Sequence, residues 1–507
     1  MNNYLYINKA NIKNIILKEP LAYENDLLIN RIWYSADADL IEQVFKKTIN
    51  TDSGVSMGRF WSAVPTGGLS IRKIHAGLPQ IMVNVLSDLI ISDMGDVKIS
   101  DVTLNELWNK IEEDEDFKDL IQEAITNTLV DGDGAFKIHL DPELSDYPIV
   151  TYYSGSECET EWVGNKAKKV IFYNYYTVRE EGQRKDRTYT LKEIYKPGKI
   201  TYELYDDKDK LIPLDSIEET AALIPAGYKG DKMSCEVTFN YNKMLAVPMR
   251  FWKSTKYKNR GKSIYDSKTE CFDRLDEAIS AFADYERDNR TKNYIPEDLI
   301  PRDPEQGEML KPNPFNFRYI KLAEGVDLSS QQIQSSTPDS NYQAHVEAIN
   351  SALDQCLLGI VSPATLGINI AANSSGESQK EKKDITAITR NHITDRLEKI
   401  IRELVKRIII VATGFKNDDF EVDFSFGEYA ALDFGSKIAI MATARPGQAV
   451  MSAEAAVEEL WGDSKDEEWK QEEIKRLKES DVMFEETPFP DDNNTEIDEE
   501  IIEEDVE

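Results

Sequence analysis

The sequence predicts an α+β protein in which helical and strand-rich segments follow one another along the chain. Before residue 130 and after residue 261, apolar residues recur at three- and four-residue intervals, which is typical of amphipathic helices. Between these regions, short runs rich in Tyr, Val, Ile and Thr alternate with polar residues, which is typical of antiparallel strands. With 507 residues, of which 41% are hydrophobic and 30% charged, the chain can form one large or several modest folded domains.

The N-terminal region is predicted to be mainly helical. Ile71–Leu89 and Leu104–Leu129 each have the periodicity of one helix, and the second surrounds an acidic patch. In the first, the predicted helical face consists of Ile74, Leu78, Ile81, Val85 and Leu89. Asp131-Gly-Asp-Gly134 then predicts a turn from helix to strand. An antiparallel meander is expected to follow, with strands at Ile149–Tyr153, Val170–Val178, Thr188–Tyr195 and Ile200–Tyr205.

Two helices are predicted on either side of a proline-rich segment. Ser267-Lys-Thr-Glu270 has the spacing of a capping box, and we expect a helix from there to about Lys292. The prolines of Asn293–Thr337 exclude a long helix, although Phe315–Leu322 fits a strand. These prolines are Pro296, Pro301, Pro304, Pro312 and Pro314. The second helix is expected to begin near Pro338, with one face formed by Tyr342, Val346, Ile349, Leu353 and Leu357.

The C-terminal part begins with an uncharged segment, Val361–Gly376. Ser378-Gln-Lys-Glu381 is a second capping box, and it predicts a helix of about 35 residues that ends at Gly414. A helix of that length has to pack against other long helices or other subunits. A short strand at Phe420–Phe426 and two further helices, which begin near Ser452 and Ser464, are expected after it.

Motifs for catalysis or metal binding are few. Asp131 and Asp133 invite a metal-site interpretation, but the further ligands and closing Glu of an EF-hand are missing, so a tight turn explains them more simply. GxxxxGK[ST] does not occur, so no ATP site is indicated. The serines near Gly376 do not form GxSxG, so a nucleophile elbow is unsupported there. The histidines form no HxxxH or HExxH pair and are interpreted as packed or surface residues: His75, His139, His345 and His392. We therefore predict no enzyme, no cofactor and no metal site.

The cysteines and the hydropathy of the chain indicate an intracellular origin. The cysteines lie far apart with no CxxC pair, which predicts free thiols: Cys158, Cys235, Cys271 and Cys356. The N-terminus has no signal-peptide core, and the longest apolar runs, such as Ile408–Ala412, are far shorter than a membrane span. We expect no membrane partner.

The distribution of charge is more informative than its total. With 93 acidic and 60 basic residues, the chain carries a formal net charge of −33, which argues against a tight grip on nucleic acid. Lys253–Lys292 nevertheless has ten basic and eight acidic residues, and Ser378–Ile409 has nine and five. Asn341–Glu377, between them, has no Lys or Arg. Two interpretations stay open: the cations are solvated faces of amphipathic helices, or they belong to a passage for a polyanion.

The order of segments from Gly261 onwards resembles the portal proteins of tailed bacteriophages, particularly the SPP1-type group. The matching segments are GKSIYDSKTECFDRLDEAISAFADYERDNR, the proline-rich insert, SNYQAHVEAINSALDQCLLGIV, NSSGESQKEKK at the entry to the long helix, and MSAEAAVEELWG near the end. The ordered set carries the resemblance, because no single motif is decisive.

The resemblance implies a portal fold with long stem helices, a mixed helix and antiparallel-sheet wing, a small α/β clip and a helical crown. The implied parts are the wing 1–260, stem helix 261–292, clip 293–337, second stem helix 338–360, tunnel loop 361–377, long helix and return strand of the wing 378–431, crown 432–481 and acidic disordered tail 482–507. Residues Glu485–Glu507 contain 12 acidic residues and no basic one.

The resemblance also implies a function, with sites and partners. The tunnel-loop residues expected to face DNA are Ser362, Thr365, Ile368, Asn369, Asn373, Ser374 and Ser375. The clip residues expected to dock the packaging motor are Pro301, Arg302, Glu305, Pro312 and Phe315. Portal proteins assemble in the host cytoplasm into a ring, commonly of about twelve subunits, at one capsid vertex. Their partners are the terminase large subunit, major capsid and scaffold proteins, head-completion adaptors, and the double-stranded DNA that passes during packaging and ejection.

Two other functions are weighed against this one. Another ring protein of the virion, such as a neck connector or baseplate component, would lack the two long helices around an insert. A metal-dependent nuclease built on acidic clusters would lose its activity on substitution of Asp131 and Asp133.

Overall fold

The fold is described from a computed structural model of the chain. The chain divides into two compact units, Met1–Gly427 and Glu428–Glu507. The residues that the structure describes are 23–47, 59–63, 72–178, 187–225, 228, 230–289, 292–295, 319–321, 334–336, 341–368, 376–415, 419–427, 454, 457 and 468–476. In the second unit, the described residues 454, 457 and 468–476 are helical.

Five helices form the first part of the described chain and pack around a shared apolar core. They are α1 (Tyr23–Ser35), α2 (Ala38–Lys47), α3 (Leu78–Ser92), α4 (Val102–Asp114) and α5 (Phe117–Asp131). Three fully buried tryptophans, Trp33, Trp61 and Trp108, are among the largest side chains in this core. Burial of this apolar surface is the main stabilising contribution to the unit.

The helix predicted at 71–89 is α3 in the structure. It is shorter than predicted, and a different face of it is buried. It begins at Leu78, after Gly77, whose φ of 66° is left-handed, and Pro79 occupies its first turn. Its buried face includes Met82 and Leu86, whereas Ile81, placed on the predicted face, is 46% exposed. The pattern failed because apolar residues occur on nearly every side of this helix.

The single helix predicted at 104–129 is two helices. The chain bends between α4 and α5, where Asp116 has a left-handed φ of 46°. Asp101 caps α4, because its carboxylate accepts hydrogen bonds from the amides of Thr103 and Leu104. The acidic residues 112–116 therefore lie at a corner between two helices, and not along one helical face.

The described residues of the first unit form three antiparallel sheets, and the predicted meander is confirmed. In the largest sheet, β4 to β8 pair in sequence order, and β9 also pairs with β7. A second sheet has three strands, in which β2 lies between β10 and β3. β1 pairs with β14. The strands are β1 (Lys98–Ile99), β2 (Asp133–His139), β3 (Ile149–Ser154), β4 (Cys158–Val163), β5 (Lys166–Val178), β6 (Arg187–Lys196), β7 (Lys199–Tyr205), β8 (Leu211–Ile212), β9 (Ser234–Thr238), β10 (Ala246–Arg250) and β14 (Val422–Asp423). A short helix, α6 (Glu218–Ala221), lies between β8 and β9.

The turn predicted at Asp131-Gly-Asp-Gly134 is confirmed, and it is a close crossing of two backbone segments. Gly132 has a φ of 98°, and Asp133 Oδ2 accepts a hydrogen bond from the Gly261 amide at 2.8 Å. A Cβ atom on Gly261 would lie 2.0 Å from the carbonyl oxygen of Gly132. Only glycine fits at position 261, because the two atoms closest to such a Cβ atom are the backbone oxygen and carbon of Gly132, which cannot rotate away as a side chain can.

We expect Gly261→Ala to lower the free energy of unfolding by about 2–3 kcal/mol through overpacking. Gly427→Ala is the matched control, since its Cβ atom would meet nothing closer than 3.6 Å and the φ of Gly427 is not left-handed. Urea denaturation followed by tryptophan fluorescence measures both variants. Equal urea midpoints for Gly261→Ala and Gly427→Ala would contradict the close approach of the Gly132 and Gly261 backbones.

A helical hairpin follows, with a small sheet between its two helices in sequence. The helices are α7 (Thr269–Asp288) and α8 (Tyr342–Leu357), and the strands are β11 (Lys292–Ile295), β12 (Tyr319–Lys321) and β13 (Gln334–Ser336). β11 is parallel to β12 and antiparallel to β13. β12 lies within the segment predicted as a strand at Phe315–Leu322.

The capping box predicted at Ser267 is wrong. The N-cap of α7 is Lys268, which makes no capping hydrogen bond through its side chain. Ser267 lies in the preceding turn with a left-handed φ of 70°, so its hydroxyl cannot take the N-cap position.

The long helix predicted after the uncharged segment is present as α9 (Gly376–Ala412), with 37 residues. It begins at Gly376, so Ser378 of the second predicted capping box lies within its first turn and is not the N-cap. Its C-terminal end is as predicted, since Gly414 has a φ of 65° and donates to the Val411 carbonyl. The α+β class is thus confirmed. Among the described residues, no helix combines the length and apolarity that crossing a membrane requires.

Candidate functional site

Two buried carboxylates near the start of α7, Asp273 and Asp276, bind the core end of the α7–α8 hairpin to the body of the unit. Asp273 accepts hydrogen bonds from the amides of Phe60, at 2.8 Å, and Trp61, at 3.1 Å. Burial raises the pKa of Asp273, and these two amide donors act in the opposite direction. The segment around Trp61 is therefore held against the first turns of α7.

Asp276, one helical step further, binds three groups at once. It accepts from the indole N–H of Trp61 at 3.0 Å and from the amide of Ala76 at 3.0 Å. The Nδ1 atom of His75 lies 2.7 Å from its Oδ2 atom, and these two side chains are only 3% and 2% exposed. Ser280, a turn later, accepts from the amide of Ile74. The six polar contacts of Asp273, Asp276 and Ser280 with the chain before α3 fix where the hairpin leaves the core.

The two helices of the hairpin run antiparallel, as contacts at both ends show. At the core end, the Lys268 ammonium donates to the carbonyls of Gln355 and Leu358 at 2.8 and 2.9 Å. At the far end, the Asn341 amide donates to the Tyr285 hydroxyl. The rings of Tyr285 and His345 lie 4.3 Å apart between the two helices.

The outer half of the hairpin contacts little beyond itself. Among the described side chains of 281–287 and 341–351, none is fully buried. Tyr342 is 55% exposed although it contacts Phe282 across the hairpin. Two long helices that bury one another only partly leave apolar surface for other partners.

The exposed surface of α8 carries negative and uncharged polar groups. Glu347 and Asp354 lie there beside Asn350, Ser351 and Gln355. α8 contains no Lys or Arg. This face would repel phosphate groups.

The clip residues named from the sequence lie outside the described part of the chain: Pro301, Arg302, Glu305, Pro312 and Phe315. What the structure describes of that segment is the sheet of β11, β12 and β13. β11 begins four residues after α7 ends, and β13 ends six residues before α8 begins. The insert therefore starts and finishes at the end of the hairpin that is far from the core.

The first part of the predicted tunnel loop is packed against the body of the unit. Ser362 is buried, its amide donates to Thr386 Oγ1 at 2.9 Å, and its hydroxyl caps a short 3₁₀ helix, Pro363–Leu366. Thr365 Oγ1 lies 3.0 Å from Thr386 Oγ1, and Ile368 is half-buried. Any part of the loop that projects further therefore begins after Ile368. Asn369, Asn373, Ser374 and Ser375 lie outside the described residues, and their role stays a prediction.

Most of the cations that the structure describes in the two locally basic segments make contacts within the chain. On α9, Arg390 donates to Asp93 at 2.8 Å, and Arg402 and Lys406 donate to the carbonyls of Phe424 and Phe420. Arg260, before α7, lies 3.6 Å from the carboxylate of Asp133. Neither open interpretation describes these cations fully, because their main contacts join parts of the first unit that are distant in sequence.

A basic groove of about 800 Å³ lies beside α9. Its walls come from the β4–β5 turn, the chain on both sides of β10, and one face of α9. Six of its lining cations form no ion pair with any residue that the structure describes: Lys166, Lys243, Arg250, Lys253, Arg396 and Lys399. A seventh, Arg407, is paired with Glu403, which is the only carboxylate among the described residues that line the groove.

Aromatic rings hold the floor of this groove in place. The Arg250 guanidinium lies 3.6 Å from the Trp162 ring centroid, and the Trp252 ring stacks on His392 at 5.3 Å and 9°. Partial burial lowers the pKa of Arg250, the Asp133 carboxylate acts in the opposite direction, and the nearby Arg396 charge adds to the lowering. The lining of the groove therefore carries more cations than carboxylates.

Sequence reasoning missed the groove. Its cations are spread from residue 166 to residue 407, and the only signals in the sequence are the local excesses of basic residues in Lys253–Lys292 and Ser378–Ile409.

The two aspartates that invited a metal-site interpretation are engaged by the protein itself. Arg31 donates to both oxygens of Asp131, at 2.7 and 2.8 Å. Tyr23 and the Gly261 amide donate to Asp133, whose pKa is raised by burial. In the described part of the chain, no three His, Cys, Asp or Glu side chains form a group that could hold a metal ion.

Comparison with known proteins adds no family assignment. No protein-family model matches the chain, and no curated protein sequence matches it.

Proposed function

We propose that the chain is the portal protein of a tailed bacteriophage, which forms a ring around a DNA channel at one capsid vertex. The observation that carries the proposal is the antiparallel α7–α8 hairpin, which is rooted in a mixed α/β body and bears a small sheet at its outer end. The 37-residue α9 follows directly and runs back through the body. This arrangement matches the order of stem, clip, stem and long helix that the sequence resemblance implies.

The partly exposed hairpin supports a ring. A pair of helices with no fully buried described residue in its outer half gains apolar contacts when copies stand side by side. Leu358, at the core end of α8, and Ile388 on α9 are each 69% exposed. We propose that these surfaces meet neighbouring subunits, since a closed ring buries such surface in every copy.

The acidic and uncharged surface of α8 is consistent with a channel that DNA passes through without binding tightly. A channel wall formed by α8 would present Glu347 and Asp354 and no cation to the phosphates. Weak repulsion lets a polyanion slide, whereas clustered Lys and Arg would hold it through counterion release. In this proposal the protein catalyses nothing and the terminase supplies the work of packaging.

The remaining partners follow from the same proposal. The clip would dock the terminase large subunit, and later the head-completion adaptors. The outer surface of the ring would contact scaffold and major capsid proteins, and in the virion the ring would occupy one vertex.

Negative-stain electron microscopy of the purified chain tests the proposal. We expect rings with an axial hole and close to twelvefold symmetry. Monomers at all protein concentrations, or rings without a continuous axial hole, would refute the portal assignment. Metal-dependent DNA cleavage that is lost in Asp131→Asn and Asp133→Asn would instead support the nuclease alternative.

A further inference from the structure

The charge of the chain restricts how copies can pack. In a ring, each copy presents two different faces to its neighbours, so the contact is heterologous. Each copy carries −33, and two acidic faces brought together repel one another. A face that is locally positive would replace this repulsion with attraction. The inference that copies meet through two different faces rests on the ring proposed above.

The basic groove beside α9 is such a face. Five of its six cations without ion pairs are exposed: Lys166, Lys243, Lys253, Arg396 and Lys399. Asn165 accepts a hydrogen bond from Lys253 at 2.7 Å but offers no charge to balance it. An acidic surface seated in the groove would supply carboxylates to these exposed cations.

The chain also carries a matching acidic surface, at the corner between α4 and α5. We define the acidic ridge as residues 112–119, in which six of eight residues are Asp or Glu. None of the six forms an ion pair with a described residue, and Glu113, Asp114, Asp116 and Asp119 are exposed. Burial and the nearby Asp96 carboxylate raise the pKa of Glu112.

The groove and the ridge belong to different parts of the same unit. Residues 396, 399 and 403 of α9 face the groove. Arg402 and Lys406, on another face of α9, bind the segment that carries β14. β14 pairs with β1, which precedes α4 and the ridge. Two separate surfaces of opposite charge are what a head-to-tail contact between copies requires.

We propose that the basic groove is an interface between subunits and receives the acidic ridge of a neighbouring copy. Six cations without ion pairs then meet six carboxylates without ion pairs, and the contact repeats around the ring. Complementary charges set the order and the register of the copies, and they speed encounter at low salt. Assembly therefore weakens when salt screens these charges.

Charge reversal on each surface tests the proposal in the full chain. The groove variant is Lys243→Glu, Arg396→Glu and Lys399→Glu, and the ridge variant is Glu113→Lys, Asp114→Lys and Asp119→Lys. Mass photometry across a concentration series measures assembly, and thermal melting checks folding. We expect each variant alone to need about a hundredfold more protein to assemble than the wild type. An equimolar mixture of the two variants should assemble again, because every contact in an alternating ring is then complementary.

The control reverses three exposed lysines outside both surfaces, Lys208, Lys210 and Lys258, and should assemble as the wild type does. Rings that survive both reversals, or a mixture that stays dissociated, would overturn the interface and leave the portal proposal intact. A wild type that never forms rings would overturn both proposals. If the groove variant assembles normally but no longer shifts a 30-base-pair duplex that the wild type binds, the groove is a nucleic-acid site.

Discussion

Asp276→Ala is expected to destabilise the first unit by about 4 kcal/mol. The substitution leaves three groups without their acceptor in a site where the side chains are almost fully buried: the indole N–H of Trp61, the amide of Ala76 and the ring nitrogen of His75. Each buried donor left without a partner costs about 1–3 kcal/mol. A loss of this size is a large fraction of the 5–15 kcal/mol that separates typical folded and unfolded states.

Glu277→Ala is the matched control for Asp276→Ala. Glu277 is the next residue on α7 and is exposed, so we expect a change within about 0.5 kcal/mol. Asp276→Asn keeps the shape and one acceptor oxygen, and its stability should lie between those of the other two variants. Chemical denaturation followed by tryptophan fluorescence reports directly on Trp61. Coincident unfolding curves for Asp276→Ala and Glu277→Ala would show that the buried network does not hold the hairpin.

The predicted elements that the structure confirms are those in which the hydrophobic pattern and the turn residues agree. In the meander, Leu191 and Leu204 alternate with exposed or half-buried neighbours, and turn residues separate the strands. The end of α9 follows from Gly414, because only a left-handed residue closes the helix there. Local chemistry alone determines such features.

The elements that were predicted wrongly depend on tertiary contacts. Ser267 and Glu270 have the spacing of a capping box, yet Ser267 is held in a left-handed turn that packs before α7. The boundary at Asp116 is likewise set by how α4 and α5 fold onto the core, which a periodic pattern does not encode.

The network around Asp276 and the basic groove share a reason for being invisible in the sequence. Asp276 contacts residues about 200 positions earlier, and the groove draws cations from three distant segments. Neither has a fixed spacing that a motif could describe. Their residue types are also common in ordinary helices, so only the folded chain distinguishes them from solvated surface.

Deleting residues Pro301–Pro314 is expected to abolish binding of the terminase motor completely while rings still form. The deletion removes four of the five proposed docking residues, Pro301, Arg302, Glu305 and Pro312, and leaves Phe315. The hairpin does not depend on this segment, because Lys268, Tyr285 and Phe282 hold α7 to α8 directly. A pull-down with the terminase large subunit measures binding, and negative-stain microscopy measures ring formation.

The remaining connection is long enough to keep the small sheet. Residues 296–318 join β11 to β12, and nine of these 23 residues remain after the deletion. Nine extended residues span about 30 Å, roughly three times the length of the three-residue strand that the connection has to retrace. Replacing the 14 residues with a Gly/Ser linker of equal length removes the same surface without shortening the chain, and it should lose motor binding equally. A chain truncated after Asp481 should bind the motor normally, because the acidic tail is not assigned to docking. Unchanged motor affinity in both insert variants would place the docking surface elsewhere on the ring.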